Sequence, residues 1–446
     1  MTNRVVITGM GWVTPLGSDV DSVWARLLKG DSGVNRVTRY DASTFKTNFA
    51  AEVKGFDLKN FMSDQAAEHA QAGLSTRFAL AAAAQAWKQS GLETLSREGN
   101  LKRRRFGIYL GAGEGELDFD NYAAANIAGW NAEKRAIDTV AWTKAAYAGM
   151  TAVREVEQEP QMTLAHIAQA FGCRGPASNC MTACAASTQA VGEAFETLRH
   201  GDADVMFAGG SHSMIHPLGM TGFIRLTAMS RRNDDPAHAP RPFDRTRDGF
   251  VMGEGAGMVV LETLDHALAR KATPLCEIVG YGSTADAFRI TDIQPDGKGG
   301  MGAMGEACKQ AGIVPREPGP DSRPQVHYIS AHGTGTKEND SIETRAVKGL
   351  FGPLAPKVPF SSVKSMLGHL IQAAGAVELM TCVQAIRTGF LPPTMNLNTP
   401  DPDCDLDHIP NAARDLREHG GVEVCLSNSF GFGGQNDTVC VRKYRA

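Results

Sequence analysis

Three side chains in this sequence stand where acyl chemistry needs them. Cys184 lies in Thr182-Ala183-Cys184-Ala185-Ala186-Ser187, just ahead of an amphipathic run. His332 opens His332-Gly333-Thr334-Gly335-Thr336 after a strand-like run, and His369 closes Lys364-Ser365-Met366-Leu367-Gly368-His369 at the start of a second helical run. A free thiol, with a pKa of about 8.5, is a poor nucleophile at neutral pH. The orphan N–H groups and dipole of a helix N-terminus favour the thiolate, so the placement predicts a lowered pKa for Cys184. The small residues around it let an acyl chain and the backbone approach the sulfur. A thiol at a helix start, with two imidazoles on glycine turns, points to acyl transfer through a thioester.

The flanking residues extend that reading. Glu378, nine residues after His369, is placed to pair with Lys364 across the site. Thr334 and Thr336 offer hydroxyl donors on the turn after His332. Near the C-terminal end, Asn428-Ser429-Phe430-Gly431-Phe432-Gly433-Gly434 follows a strand. Such a turn can aim backbone N–H groups at an oxyanion and let a phenylalanine swing as a gate. His69, His166, His200, His238, His266, His408 and His419 read as structural or surface histidines, because no nucleophile, glycine turn or metal-ligand spacing gathers around them. The nine cysteines contain no CxxC pair, and no histidine completes a metal site near Cys173, Cys180 and Cys184, so no metal is expected. Cys184 apart, the thiols read as reduced and buried.

The elements that must hold these residues alternate. β-Branched runs at 5–8, 106–110, 205–208, 257–262, 275–280, 326–331, 358–361 and 423–427 read as strands. Helical runs fall at 76–90, 185–200, 302–311, 340–350 and 370–388, and Gly91, Gly201, Gly312 and Gly389 stand where C-terminal caps belong. That alternation predicts a layered α/β fold. The strands at 257–262 and 275–280 suggest a division into halves 1–270 and 271–446. With 446 residues, 42% of them hydrophobic, the chain can bury a large core. A net charge of −4 gives no basic field for nucleic acid. No run nears the roughly 20 apolar residues of a membrane span, and the first apolar run is too short for a signal segment, so a cytoplasmic protein is expected.

In these motifs the chain resembles the β-ketoacyl-acyl-carrier-protein synthases, the type II (elongating) condensing enzymes of the thiolase-fold superfamily. The resemblance covers nearly the whole chain. It rests on the Cys184 motif, His332-Gly-Thr-Gly-Thr, Lys364-Ser-Met-Leu-Gly-His369 and the turn at 428–434. Arg241-Pro242-Phe243-Asp244, Arg247-Asp248-Gly249-Phe250 and Gly253-Glu254-Gly255-Ala256-Gly257 add to it. It implies a duplicated five-layer αβαβα thiolase fold with mixed sheets, Cys184 coming from the first half and both histidines from the second. It implies a decarboxylative Claisen condensation of an acyl group on Cys184 with malonyl-acyl-carrier protein, in fatty-acid or related polyketide or polyene synthesis. The backbone N–H groups of Cys184 and Phe432 would form the oxyanion hole. His332 and His369 would stabilise the enolate oxygen, Lys364 and Glu378 would set the electrostatics, and Thr334 and Thr336 would hold the pantetheine. No bound cofactor is implied; the phosphopantetheine arm of the carrier protein brings the substrate. The implied partners are that carrier protein and a second subunit, in a homodimer or a heterodimer.

The chain departs from the family pattern in three places. Residues 113–161 form a longer segment than usual, with Tyr122, Trp130, Trp142 and Tyr147, which carries too much aromatic surface for a free loop. Residues 63–75 hold acids, amides and alanines where elongating synthases carry lysine and arginine for the acidic carrier protein; Arg231 and Arg232, or Lys102–Arg105, are the substitutes at hand. Gln435 stands where threonine is usual. Two other readings share the fold. A thiolase would need a second catalytic cysteine, and Cys425 and Cys440 lie in strand-like runs. A non-catalytic partner subunit of the chain-length-factor kind usually lacks the cysteine that this chain keeps.

Overall fold

The computed structural model describes residues 2–113, 117–290 and 292–445; residues 114–116 of the long segment lie outside the described residues. The strands of the main sheet are β1 (Val5–Val13), β2 (Phe106–Ala112), β3 (Ala177–Cys180), β4 (Val205–His212), β5 (Gly255–Thr263), β6 (Cys276–Ala285), β7 (Tyr328–Ser330), β8 (Phe360–Ser361), β9 (Val424–Gly431) and β10 (Gln435–Arg442). The helices used below are α1 (Leu74–Ser90), α2 (Phe119–Gly129), α3 (Thr139–Gly149), α4 (Ala186–His200), α5 (Pro217–Arg225), α6 (Lys298–Gln310), α7 (Lys337–Phe351) and α8 (Ala374–Thr388).

The ten strands hydrogen-bond in the order β8-β7-β9-β10-β6-β1-β5-β4-β2-β3. That order is one five-strand pattern written twice. In each five the third strand lies outermost, followed by the second, fourth, fifth and first. The outer three are parallel, and the fourth, fifth and first pair antiparallel. The two copies join through β1 and β6, from Val5↔Ile278 to Ile7↔Cys276. Helix α1 covers one side of the first copy, against β1 and β5, while α6 covers the second copy against β6 and β10, with α7 packed on it. Between the copies lie α4 and α8, which touch each other and strands of both. The result is five layers, with the largest apolar cluster running through the central helices.

The central pair explains why the sequence had to be so rich in small residues there. A Cβ added at Gly375 would stand 1.9 Å from Thr188 Oγ1, so only glycine lets the first turns of α4 and α8 meet. Ser187 Oγ then accepts the Ala376 N–H at 2.9 Å. Helix α8 is buried from Ala374 through Ile386, and a helix enclosed on all sides shows no polar stripe.

Each strand and helix read from the sequence has its counterpart, with shifted ends. Both central helices begin later than expected, each behind a 3₁₀ turn, Ala183–Ala185 and Ile371–Ala373. The sequence reading missed β3, which is Ala-Ser-Asn-Cys with no β-branched residue, and gave no start for the strand-like run around Cys440, because β10 opens on Gln435-Asn436-Asp437, whose last two side chains are buried. In the long segment, α2 and α3 form a helical hairpin, with Trp142 Nε1 donating to Asn126 Oδ1 at 3.1 Å. Within the single chain, Trp130 and Tyr147 are 53% and 88% exposed, beside exposed Ile127 and Val140. Ala125, Gly129 and Ala146 are enough to fill the hairpin's inner face. No helix among the described residues is long and apolar enough to cross a membrane.

Candidate active site

The site gathers at the C-terminal ends of the parallel strands, where connecting loops converge in such sheets. Cys184 follows β3, His332 follows β7, His369 follows β8 and Phe432 follows β9. Cys184 sits in the 3₁₀ turn ahead of α4, behind Ala183, whose φ of 47° is left-handed for an alanine. Such strain costs about 1–3 kcal/mol and persists where the surroundings impose it. The turn places the thiol among buried apolar neighbours, Ile215, Met220, Phe250 and Ile371.

His369 Nε2 lies 3.0 Å from Cys184 Sγ. The sulfur and one nitrogen of each histidine all fall within 4.8 Å of one another. The two imidazoles are near perpendicular, at 83° with centroids 5.4 Å apart. His369 Nδ1 accepts the Ile371 N–H at 3.3 Å. In the neutral ring the proton is therefore on Nε2, facing the sulfur, and His369 is a donor there. The backbone N–H groups of Phe432 and of Cys184 itself lie close enough to the sulfur to favour its thiolate. Lys364 Nζ donates to the His332 carbonyl at 2.6 Å and forms a buried ion pair with Glu378. The hydroxyls of Thr334 and Thr336 are 3.0 Å apart, and Thr336 caps α7 by accepting the Asn339 N–H at 3.3 Å. The sequence reading had not given Thr336 this structural task.

Electrostatics corrects one expectation. Burial pushes the Cys184 thiol up to about 11, against the downward pull of Lys364 and the two backbone N–H groups. The helix start opposes desolvation without overcoming it, so the resting group is a thiol. Burial, then the Lys364 charge, hold both His332 and His369 well below the usual imidazole range, so both rings are neutral near pH 7. Burial pushes the Glu378 carboxyl up to about 7, with Lys364 opposing. Two backbone donors and two neutral imidazole donors thus surround one sulfur. That arrangement can hold two oxygens that become anionic in turn.

Sequence reasoning missed the groups that fix the His332 turn. Glu343 accepts the His332 and Gly333 N–H groups at 2.9 and 2.8 Å, with Asn428 Nδ2 at 3.2 Å. Asp340 accepts the Phe243 and Gly335 N–H groups at 2.8 and 3.1 Å. Arg247 is buried beside Asp340 and donates to the carbonyls of Thr336, Lys337 and Asp244. The available signal was two acids three residues apart at the start of a helix, directly after a glycine turn. His212, bonded to Gln372, is a further buried imidazole near His369.

The family model for the N-terminal domain of β-ketoacyl synthases matches residues 2–267, and that for the C-terminal domain matches residues 275–398. The chain is 40% identical to 3-oxoacyl-(acyl-carrier-protein) synthase 2 of Coxiella burnetii, across 99% of this chain and 98% of that protein. A β-ketoacyl synthase from Burkholderia phymatum superposes with a TM-score of 0.85 at 32% identity, covering 99% of this chain and 100% of that one. A type II polyketide ketosynthase solved in complex with its acyl-carrier protein superposes with a TM-score of 0.84 at 31% identity over 100% of both chains. Since the two matched models span Cys184 and both histidines, the chain belongs to the β-ketoacyl synthase family and is a condensing acyltransferase.

Proposed function

We propose that the chain joins an acyl group held on Cys184 to a malonyl unit on an acyl-carrier protein, with loss of carbon dioxide. The observation that carries this is the protonated Nε2 of His369 at 3.0 Å from the Cys184 sulfur, with the Phe432 N–H also close to that atom. In the first stage the sulfur attacks the thioester carbonyl of the incoming pantetheine. The backbone donors of Cys184 and Phe432 hold the oxyanion, and the pantetheine thiol leaves with the proton the Cys184 thiol gives up. In the second stage the malonyl C–C bond breaks to release carbon dioxide. The enolate oxygen accepts from His332 and His369, the enolate carbon attacks the acyl carbonyl, and the bond to Cys184 breaks. One proton taken from solvent returns the thiol. Burial and the Lys364 charge keep both rings neutral, Glu378 anchors the Lys364 ammonium, and Thr334 offers its hydroxyl to the pantetheine, joined by whatever capacity Thr336 has left after capping α7.

The phosphopantetheine arm is the substrate carrier and no bound cofactor is invoked. The division near residue 270 separates the nucleophile from the histidines. A thiolase reading fares worse, because Cys425 and Cys440 are buried in β9 and β10 and neither joins the groups around Cys184. A non-catalytic partner subunit would not need the donor geometry around Cys184. The exposed Ile127, Trp130, Val140 and Tyr147 face of the α2–α3 hairpin is the subunit interface in this reading, against a second copy or a related chain.

For the carrier protein, Lys46, Arg225 and Arg231 line one recess of 470 Å³ with Thr221, which also lines the 930 Å³ cavity next to the reacting groups. Lys102, Arg103 and Arg104 lie instead at the N-terminal end of β2, a seven-residue strand about 23 Å long, away from Cys184. The acidic carrier is therefore assigned to the Lys46–Arg231 side. Charge reversal at Arg225 and Arg231 should raise KM for carrier-borne acyl groups at least tenfold and leave acyl-pantetheine untouched; equal effects on both would exclude this patch. The reaction itself is tested by acylating the protein with an acyl thioester and mapping the adduct by peptide mass spectrometry. The label should sit on Cys184 and vanish in Cys184→Ala; a label that persists overturns the reading.

A further inference from the structure

The 930 Å³ cavity starts next to the buried reacting groups, at Ala183, Ile371 and Phe432, and continues past Phe223 and Leu218 of α5. Its volume is at the upper end for sites that enclose a small ligand. A second recess of 520 Å³ meets it at Leu117 and His216, which line both. The walls change character at that junction. The first cavity is mostly apolar, whereas Arg39, Tyr40, Arg77, Arg154 and Ser213 line the second. Some of the charges there are already matched. Arg39 pairs with Glu254 and Arg154 with Asp118, and Glu157 is hydrogen-bonded to His166 Nε2. Asp120 is exposed at the rim.

Two donors are left over. Arg77 is only partly exposed, its guanidinium has no hydrogen-bond or ion partner among the described residues, and its Nε is buried. The Tyr40 hydroxyl is likewise buried without a partner. Tyr40 packs against the apolar cluster that contains Cys184, so this recess belongs to the same region of the molecule as the nucleophile. Burial pushes the Tyr40 phenol up to about 12, which keeps it a neutral donor. Buried donors without acceptors are costly, and a positive guanidinium and a phenol O–H lining one recess select an anionic acceptor with two oxygens.

We propose that this recess receives the far end of the acyl chain and that the preferred chain ends there in a carboxylate, held by Arg77 and Tyr40. The proposal rests on the reading of Cys184 as the acyl acceptor. The first cavity takes the methylenes, and the second takes the charged terminus that an all-apolar pocket would reject. Arg39 and Arg154 stay engaged with their own carboxylates, and Arg77 supplies the uncompensated charge.

The test compares pairs of acyl-pantetheine thioesters of equal length, one ending in methyl and one in carboxylate, over a series of lengths. The readout is the ratio of kcat/KM values for acylating Cys184, carboxyl-ended over methyl-ended. In the wild type this ratio should exceed ten once the chain is long enough to cross the junction at Leu117 and His216. Arg77→Met should lower the ratio at least tenfold, Arg77→Lys should keep part of it, and Tyr40→Phe should lower it less than Arg77→Met. A purely structural Arg77 would slow both substrates together and leave the ratio alone, which would overturn the proposal. A wild-type ratio of one or below at every length overturns it without any variant, so a misfolded Arg77→Met leaves the question decidable. Methyl-ended chains that load well while carboxyl-ended chains do not would sink this proposal and leave the condensing reading intact. Failure of both kinds to load Cys184 would sink the reading and the proposal with it.

Discussion

Replacing His369 with alanine tests whether this ring is a donor or a base. The structure assigns the proton to Nε2, because Nδ1 accepts the Ile371 N–H at 3.3 Å, and Nε2 is the atom 3.0 Å from the sulfur. A ring in that state cannot take the thiol proton, but it can donate to an oxygen that becomes negative. During acylation the oxyanion has the Cys184 and Phe432 N–H groups, which survive the substitution. During decarboxylation the enolate oxygen loses one of its two imidazole donors. Removing one such donor typically costs about 2.7–4 kcal/mol, or 10²–10³ in rate. His369→Ala should therefore slow release of carbon dioxide from the malonyl thioester about a hundredfold or more, while acyl loading of Cys184 falls less than tenfold. His369→Asn, which keeps an N–H donor, should recover about tenfold of the loss. The pH dependence carries the same information. The imidazole is held well below 6.5 by burial and Lys364, so the working form is the neutral one. Between pH 8 and 6.5 the decarboxylation rate should show no imidazolium limb, whereas a charged donor would make it rise about tenfold for each unit the pH falls. Loading rates are read by intact-protein mass, and decarboxylation by carbon dioxide release. Equal losses in the two half-reactions, with no rescue by asparagine, would refute the tautomer argument and make His369 the base for Cys184.

Two further outcomes follow from side chains away from the chemistry. His408 stacks on Phe243 with centroids 3.9 Å apart, and burial pushes it down to about 4 from 6.5. A depressed imidazole binds protons in the unfolded chain first, so its stability contribution is complete above pH 6.5 and is lost as pH falls below it. His408→Phe should therefore recover about 1.4 kcal/mol of relative unfolding stability between pH 7.5 and 5.5, and a pH-independent difference would refute this. For the hairpin, Trp130→Ala combined with Tyr147→Lys should lower the mass in solution towards that of a single chain; a folded variant of unchanged mass would remove this face from the subunit interface.

The sequence made the chemistry legible where function needs a particular residue type beside small neighbours. Cys184, His332, His369, Lys364 and the 428–434 turn each stand in a motif of glycine, alanine or threonine, because substrate and backbone must come close. It left illegible what long-range packing decides. The Cys184 pKa is set by desolvation among Ile215, Met220, Phe250 and Ile371, which lie 31 to 187 residues away, so a helix-start argument alone gave the wrong sign. Glu343 and Asp340 stand in a helical run with no motif to single them out, and only the fold turns them inward onto the His332 and Gly335 N–H groups. The β3 strand has no propensity of its own and exists because β2 pairs with it in parallel, from Ile108↔Ala177 to Gly111↔Cys180.

The duplication accounts for the division of labour in the site. Ala183-Cys184-Ala185 and Ile371-Gln372-Ala373 are the same turn in the two five-strand copies. Each is a 3₁₀ turn after the third strand of its copy, each leads into a central helix, and each opens on a left-handed residue that is not glycine, with φ of 47° and 43°. Gln372 therefore holds the position in the second copy that Cys184 holds in the first, and its side-chain oxygen is bonded to His212. One elbow supplies the nucleophile, and the segment entering the other supplies the donor, His369. Because the first turns of α4 and α8 meet at Thr188 and Gly375, the two elbows face each other across the central layer, and the 3.0 Å approach of imidazole to sulfur is set by helix packing between copies. Neither copy alone contains a nucleophile and its donor, so the fusion of the two through β1 and β6 is what makes a site.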